Sequence, residues 1–202
     1  MSKAAGINLL IDKTFSVHFS EVGPEVRPIQ RKVIRAILDG HNTLALMPTG
    51  SGKSLCYWVA GKALGGITLV ISPLTALIDE QSQKLTGHGC RVFTLHSGIN
   101  TREQYKELTA LYQQQERPDF IFLSPERLAT DGFLEYVLKS IRKQIKLVVV
   151  DEAHCISQWG LDFRPFYKEI PHSLDAIFQE TERPTVLCLT ATLNPKDREQ
   201  IC

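Results

Sequence analysis

The chain has 202 residues, of which 43% are hydrophobic and 22% charged, and its formal net charge is +1 at pH 7. That is enough for one domain with a substantial core, and it excludes a strong overall basic field, so any nucleic acid must be met by a local patch. No stretch reaches the ~18 apolar residues of a membrane helix, and the five cysteines (Cys56, Cys90, Cys155, Cys188 and Cys202) form no C-x-x-C pair, which suggests neither a zinc site nor a disulfide framework and points to a reducing cytoplasm.

The opening "MSKAAGINLLIDKTF" carries too short an apolar run for a secretory segment, and residues 1–25 read as an extension of a domain spanning 26–202. A helical pattern at 28–39 is followed by a strand at 42–47 and a second helix at 53–63. Next come a strand at 67–72, a helix at 74–85, a strand at 91–95 and a helix at 101–114. The series ends with strands at 119–123, 146–150 and 185–190 and with helices at 133–142 and 167–179. Several strands are apolar at consecutive positions, as strands buried on both faces must be. Regular alternation of strand and helix predicts a three-layer α/β/α domain around a mostly parallel sheet, with ligands outside the carboxyl ends of the strands. We find no internal repeat, low-complexity tract or interdomain linker.

"MPTGSGKS" runs from Met47 to Ser54, directly between a strand and a helix, which is the setting of a Walker A phosphate loop in a relaxed form, with Met47 where the strict pattern has glycine. Pro48, Thr49, Gly50, Ser51, Gly52, Lys53 and Ser54 are the candidate nucleotide-binding residues. The glycines allow a backbone that a Cβ would obstruct, and the amides that follow point into the positive end of the helix. Lys53 would reach the terminal phosphates of ATP and the Ser54 hydroxyl would ligate Mg2+. A bland turn opening a helix is the alternative. At 146–152, "KLVVVDE" ends a buried strand in two carboxylates. Asp151 would hold the metal and Glu152 would deprotonate the attacking water. His154, next to the pocket, is a candidate relay. On their own the acids would also suit a helix N-terminus.

From "DEAH" onward the chain resembles superfamily-2 helicases, and the string "DEAHCISQWGLDFRP" is similar to the RecQ family of DNA helicases, whose pattern there is D-E-A-H-C-[IV]-S-x-W-G-H-D-F-R-P. "MPTGSGKSLCY", "SPLTALIDEQ", "SPERL" and "LTAT" match that family's motifs in order, from about Val26 onward. The resemblance implies the first RecA-like lobe of a helicase that couples Mg-ATP hydrolysis to translocation on single-stranded DNA and duplex unwinding. It implies that the loop behind the acids couples single-stranded or partly duplex DNA to hydrolysis through Trp159, Phe163 and Arg164, in keeping with aromatic stacking on bases. For Phe166 and Tyr167 a place in the core is an equal alternative. "RPIQ" resembles the family's adenine motif, with Arg27 and Gln30 as its recognition residues, since a glutamine amide suits the N6 and N7 edge of adenine. Ser72, Pro73, Thr190 and Thr192 are implied DNA-contact or coupling residues, and the serines at 72 and 124 could equally cap helices.

The pattern breaks at Leu161, where the family has histidine, and at Gly23 and Val26, where the rings that stack on adenine are missing. Phe19 is a candidate substitute for them. The expected second RecA-like lobe, with its arginine fingers, is not encoded before Cys202. Alternatives to the motor lobe are a non-hydrolysing, nucleotide-dependent DNA-binding or docking module of a repair or defence assembly, and an RNA helicase lobe. No membrane partner is expected.

Overall fold

A computed structural model describes residues 3–113, 117–156, 165–178 and 183–192. The six strands are β1 (Thr43–Leu46), β2 (Ile67–Ile71), β3 (Val92–Leu95), β4 (Phe120–Leu123), β5 (Ile145–Val150) and β6 (Thr185–Thr190). They form one wholly parallel sheet in the order β1-β6-β5-β2-β4-β3. All six lie where the apolar runs predict them.

The runs are apolar at consecutive positions because both faces of the sheet are covered. Along β5, Leu147 and Val149 enter one core layer, whereas Val148 and Val150 enter the other. Phe120 and Phe122 of β4 likewise oppose Ile121 and Leu123. The first layer is built by α1 (Lys3–His18), α2 (Pro28–Leu38), α3 (Lys53–Leu64) and α4 (Thr75–Gly87). The second is built by α5 (Thr101–Tyr112), α6 (Pro125–Thr130), α7 (Gly132–Ile141) and α8 (Ile170–Ile177). No helix among the described residues is long and apolar enough to cross a membrane.

The helix α6 was not expected from the sequence, and three further features differ from the sequence reading. The stretch before residue 26 contains a sixteen-residue helix, α1, whose Ile7, Ile11 and Phe15 are buried in the first core layer. Phe19 is wholly buried, with its ring 5.7 Å from Trp58 and 5.6 Å from His88, so it does not stand in for the missing adenine-stacking ring. The last helix starts at Ile170, not Tyr167, because Pro171 has no amide hydrogen to give and belongs in a first turn. Tyr167 instead ends a 3-10 turn, Pro165–Tyr167.

Candidate nucleotide and carboxylate site

Parallel strands put the loops that follow β1, β6, β5 and β2 on one edge of the sheet, and the ladder continues one residue beyond the β1–β6, β5–β2 and β2–β4 pairings. Met47 N donates to Thr190 O at 3.0 Å, Asp151 N to Ile71 O at 2.9 Å and Ser72 N to Leu123 O at 3.1 Å. β6 lies between β1 and β5, so the phosphate loop and the carboxylate pair flank its end. Lys53 and Glu152, 99 positions apart, meet there with Nζ 3.3 Å from Oε1, and both side chains are largely shielded, at 15% and 23% exposure.

The loop has the backbone that its glycines permit. Gly50 and Gly52 sit at φ +78° and +79°, a region that costs an L-residue about 1–2 kcal/mol. Gly52 is the N-cap of α3 and supplies no side chain to the first amides of that helix, unlike Asn100 on α5 and Asp131 on α7. The positive end of α3 thus faces the loop without an internal acceptor from the cap. Ser51 Oγ is buried without a hydrogen-bond partner.

Arg27 and Gln30 come to this loop. Gln30, 2% exposed, donates from Nε2 to the carbonyls of Ser51 and Gly52, both at 3.1 Å, and accepts from Arg27 N at 2.9 Å through Oε1. The Arg27 guanidinium reaches Ser51 O at 3.4 Å. A Cβ on Gly52 would stand 2.4 Å from Gln30 Nε2. The glutamine amide therefore holds the loop from behind, a contact that no local sequence spacing announces.

Asp151 and Glu152 diverge in environment. Asp151 accepts from Glu152 N at 3.0 Å. Its pKa is pushed up to about 6, first by burial and then by the Glu152 charge, against the opposing pull of Lys53. Glu152 has φ +50°, the one non-glycine positive φ among the described residues, a strained conformation of the kind that clusters at functional sites. Its second oxygen, Oε2, lies 3.2 Å from His154 Nδ1, and that nitrogen is also 3.0 Å from Thr190 Oγ1. The Thr190 hydroxyl donates to Thr192 O at 2.7 Å. Its oxygen is left to accept, so Nδ1 of His154 carries a hydrogen. The four predicted groups Glu152, His154, Thr190 and Thr192 thus form one connected string.

Two more residues belong to the site: Tyr57, which the sequence did not single out, and Tyr167, which takes the core position that was one of its two readings. Tyr57, one helical turn from Ser54, is 1% exposed and donates to Gln81 Oε1 at 3.3 Å. Its pKa is raised by burial first and then by the Asp151 charge, so the phenol lies within electrostatic reach of the carboxylate pair. The i, i+3 spacing on α3 was the available signal. Tyr167, buried, donates to Asp151 O at 2.7 Å. Ser72 is buried with its Oγ unpartnered and Pro73 is half-buried. Ser124 caps α6 by accepting from Arg127 N. Trp159, Phe163, Arg164 and Leu161 lie outside the described residues.

The donor set suits magnesium-bound polyphosphate. Left-handed glycines, an uncapped helix end and a lysine form an anion cradle, and a hydroxyl with a carboxylate supplies the hard oxygen ligands that magnesium takes. The charge of two acids beside one lysine, which raises the Asp151 pKa, is what a divalent cation offsets.

That raised value has a stability consequence. The folded state holds the Asp151 proton more tightly than the unfolded chain, whose carboxyl titrates near 3.8, so ionisation costs stability as pH rises through the window between 3.8 and about 6. The full cost is at most about 3 kcal/mol. Without magnesium, Asp151→Asn should be about 1–2 kcal/mol more stable than the unsubstituted chain at pH 8 and close to equal at pH 4. Urea unfolding at the two pH values measures this, and a variant that is less stable at pH 8 would contradict the burial argument.

Residues 27–201 match the family model described as DEAD/DEAH box helicase. The chain is 40% identical over 173 residues to a probable ATP-dependent DNA helicase RecS of Bacillus subtilis, an alignment that covers 85% of this chain and 33% of that protein. It is 37% identical to ATP-dependent DNA helicase RecQ of the same organism, covering 86% and 28%, and 38% identical to RecQ-like DNA helicase blm-1 of Caenorhabditis elegans, covering 85% and 17%. The chain thus spans about a third or less of these curated relatives. The fold is also that of solved helicase structures, including a hypothetical ATP-dependent RNA helicase from Sulfolobus tokodaii (TM-score 0.67, 22% identity, 95% of this chain and 53% of that one) and the DUF1998 helicase MrfA bound to DNA (TM-score 0.73, 18% identity, 100% and 29%).

Proposed function

This chain belongs to the DEAD/DEAH box helicase family, and from that premise we propose that it is the ATP-binding first lobe of a RecQ-like DNA helicase. The observation that carries the reading is the meeting of Lys53 with Glu152 over the end of β6. Arg27 and Gln30 border the place for the adenine, the amides of Gly50 to Ser54 cradle the phosphates and Lys53 binds the terminal ones. Ser54 and Asp151 hold magnesium, which supplies charge neutralisation on the phosphates when bound. Glu152 takes the proton of the attacking water. His154, with its Nδ1 hydrogen between Glu152 Oε2 and Thr190 Oγ1, keeps the carboxylate turned toward Lys53 and ties it to the Thr190–Thr192 turn. DNA contact falls to Pro73, to the Thr190–Thr192 turn and to the 157–164 segment with Trp159, Phe163 and Arg164, and the names of the curated relatives favour DNA over RNA.

Translocation needs a second RecA-like lobe, and an arginine finger from it is worth about 10³–10⁵ in rate. This chain alone should therefore bind Mg-ATP weakly, release phosphate slowly and separate no strands. Phosphate release by the protein with both lobes should depend on magnesium, rise with single-stranded DNA and vanish in Lys53→Ala. ATP binding without any release would favour the docking module, and stronger stimulation by matched RNA would reverse the choice of nucleic acid.

A further inference from the structure

Tyr167 lies 16 positions beyond Asp151, and its hydroxyl donates to the Asp151 carbonyl at 2.7 Å. That carbonyl belongs to the peptide unit joining Asp151 to Glu152. The unit is planar and turns as a whole, through ψ of Asp151 and φ of Glu152. Whatever fixes its oxygen therefore constrains φ of Glu152, the angle that stands at +50°. A free peptide would let a glutamate relax to negative φ. Such a turn would break the bond from Glu152 N to Asp151 Oδ1 and carry the Glu152 carboxylate away from Lys53 and His154. The Tyr167 ring sits in the second core layer, where a phenylalanine would fill the same space; the hydroxyl is what reaches the strand end.

We propose that Tyr167 is a positioning residue for Glu152: its hydroxyl latches the Asp151–Glu152 peptide and so keeps the carboxylate against Lys53. The catalytic part of this proposal rests on the reading of Glu152 as the base. The same ring lines a cavity of about 130 Å³ with Pro73, Thr75, Ser124 and Phe166, at the carboxyl ends of β2 and β4.

Tyr167→Phe tests the latch through two readouts. Amide hydrogen exchange on this chain should show Glu152 exchanging about tenfold faster, with the urea midpoint nearly unchanged and the core amides unaffected. In the protein with both lobes, kcat should fall about tenfold while KM for ATP stays within about twofold, and in a Glu152→Gln background the substitution should leave the residual rate unchanged. Unaltered exchange at Glu152 overturns the proposal. So does acceleration spread evenly over the core, or a kcat loss that persists in the Glu152→Gln background. If the unsubstituted protein does not hydrolyse ATP at all, the motor reading fails instead, and exchange at Glu152 alone decides the latch.

Discussion

Glu152→Gln in the protein with both lobes is expected to cut phosphate release by roughly 10²–10⁴-fold, the contribution of a positioned general base, while ATP affinity stays within about threefold. The amide matches the carboxylate in shape and its oxygen can still accept from Lys53, so the loop keeps its partner. What is lost is the site for a proton. The opposing amide hydrogens meet His154 Nδ1–H, which turns fully to Thr190 Oγ1, 3.0 Å away, so the local cost is small. There is also a compensating gain. The Glu152 charge is the second cause of the raised Asp151 pKa, and its removal lets Asp151 ionise at lower pH. Stability should therefore change by less than about 1 kcal/mol at neutral pH. Nucleotide titration, single-turnover phosphate release and urea unfolding together check the three parts. An equal fall in affinity and turnover would show that Glu152 binds the nucleotide rather than acting on water.

The second large effect is expected at Gly52. An alanine there meets two independent penalties: a left-handed φ that costs about 1–2 kcal/mol and a Cβ placed 2.4 Å from Gln30 Nε2. Relief requires Gln30 to withdraw, which breaks its bonds to the Ser51 and Gly52 carbonyls, each worth about 0.5–1.5 kcal/mol. Together these amount to about 3 kcal/mol, and ATP affinity should drop by about 100-fold because the distorted loop is the phosphate cradle. Gly50→Ala is the control. Gly50 has nearly the same φ, but nothing lies within 4 Å of its added Cβ, so it should show the backbone penalty alone. Equal losses in the two variants would remove the role assigned here to Gln30.

The sheet was legible in the sequence because its strands are covered on both faces. Val148 and Val149 point into opposite core layers, and that leaves no polar position to blur the run. The phosphate loop and the carboxylate pair were legible for a related reason, since a left-handed turn demands glycine and a strand end aims its side chains at the sheet edge. Strand order was not legible. Nothing local tells β6 to insert between β1 and β5, for that pairing depends on contacts spread over the whole chain. The helix α1 had a signal in the i, i+4, i+8 spacing of Ile7, Ile11 and Phe15, which the polar and small residues between them obscured. The hydrogen bonds from Gln30 to the loop and from Tyr167 to Asp151 join distant segments at single atoms, and a pattern of residue types carries no record of such a contact.

The placement of β6 also sets when the site can come into being. β1 pairs with β6 alone, with Thr43 opposite Leu187, and Val186 N is further bound to the Asn42 side chain 144 positions away. During synthesis, the strand that bears the phosphate loop leaves the ribosome early and waits, unpaired, until nearly all of the lobe has followed. Such distant closure makes folding slow. A nascent chain stopped before Thr185 would hold a complete glycine loop and a complete acid pair with no strand to bring them side by side.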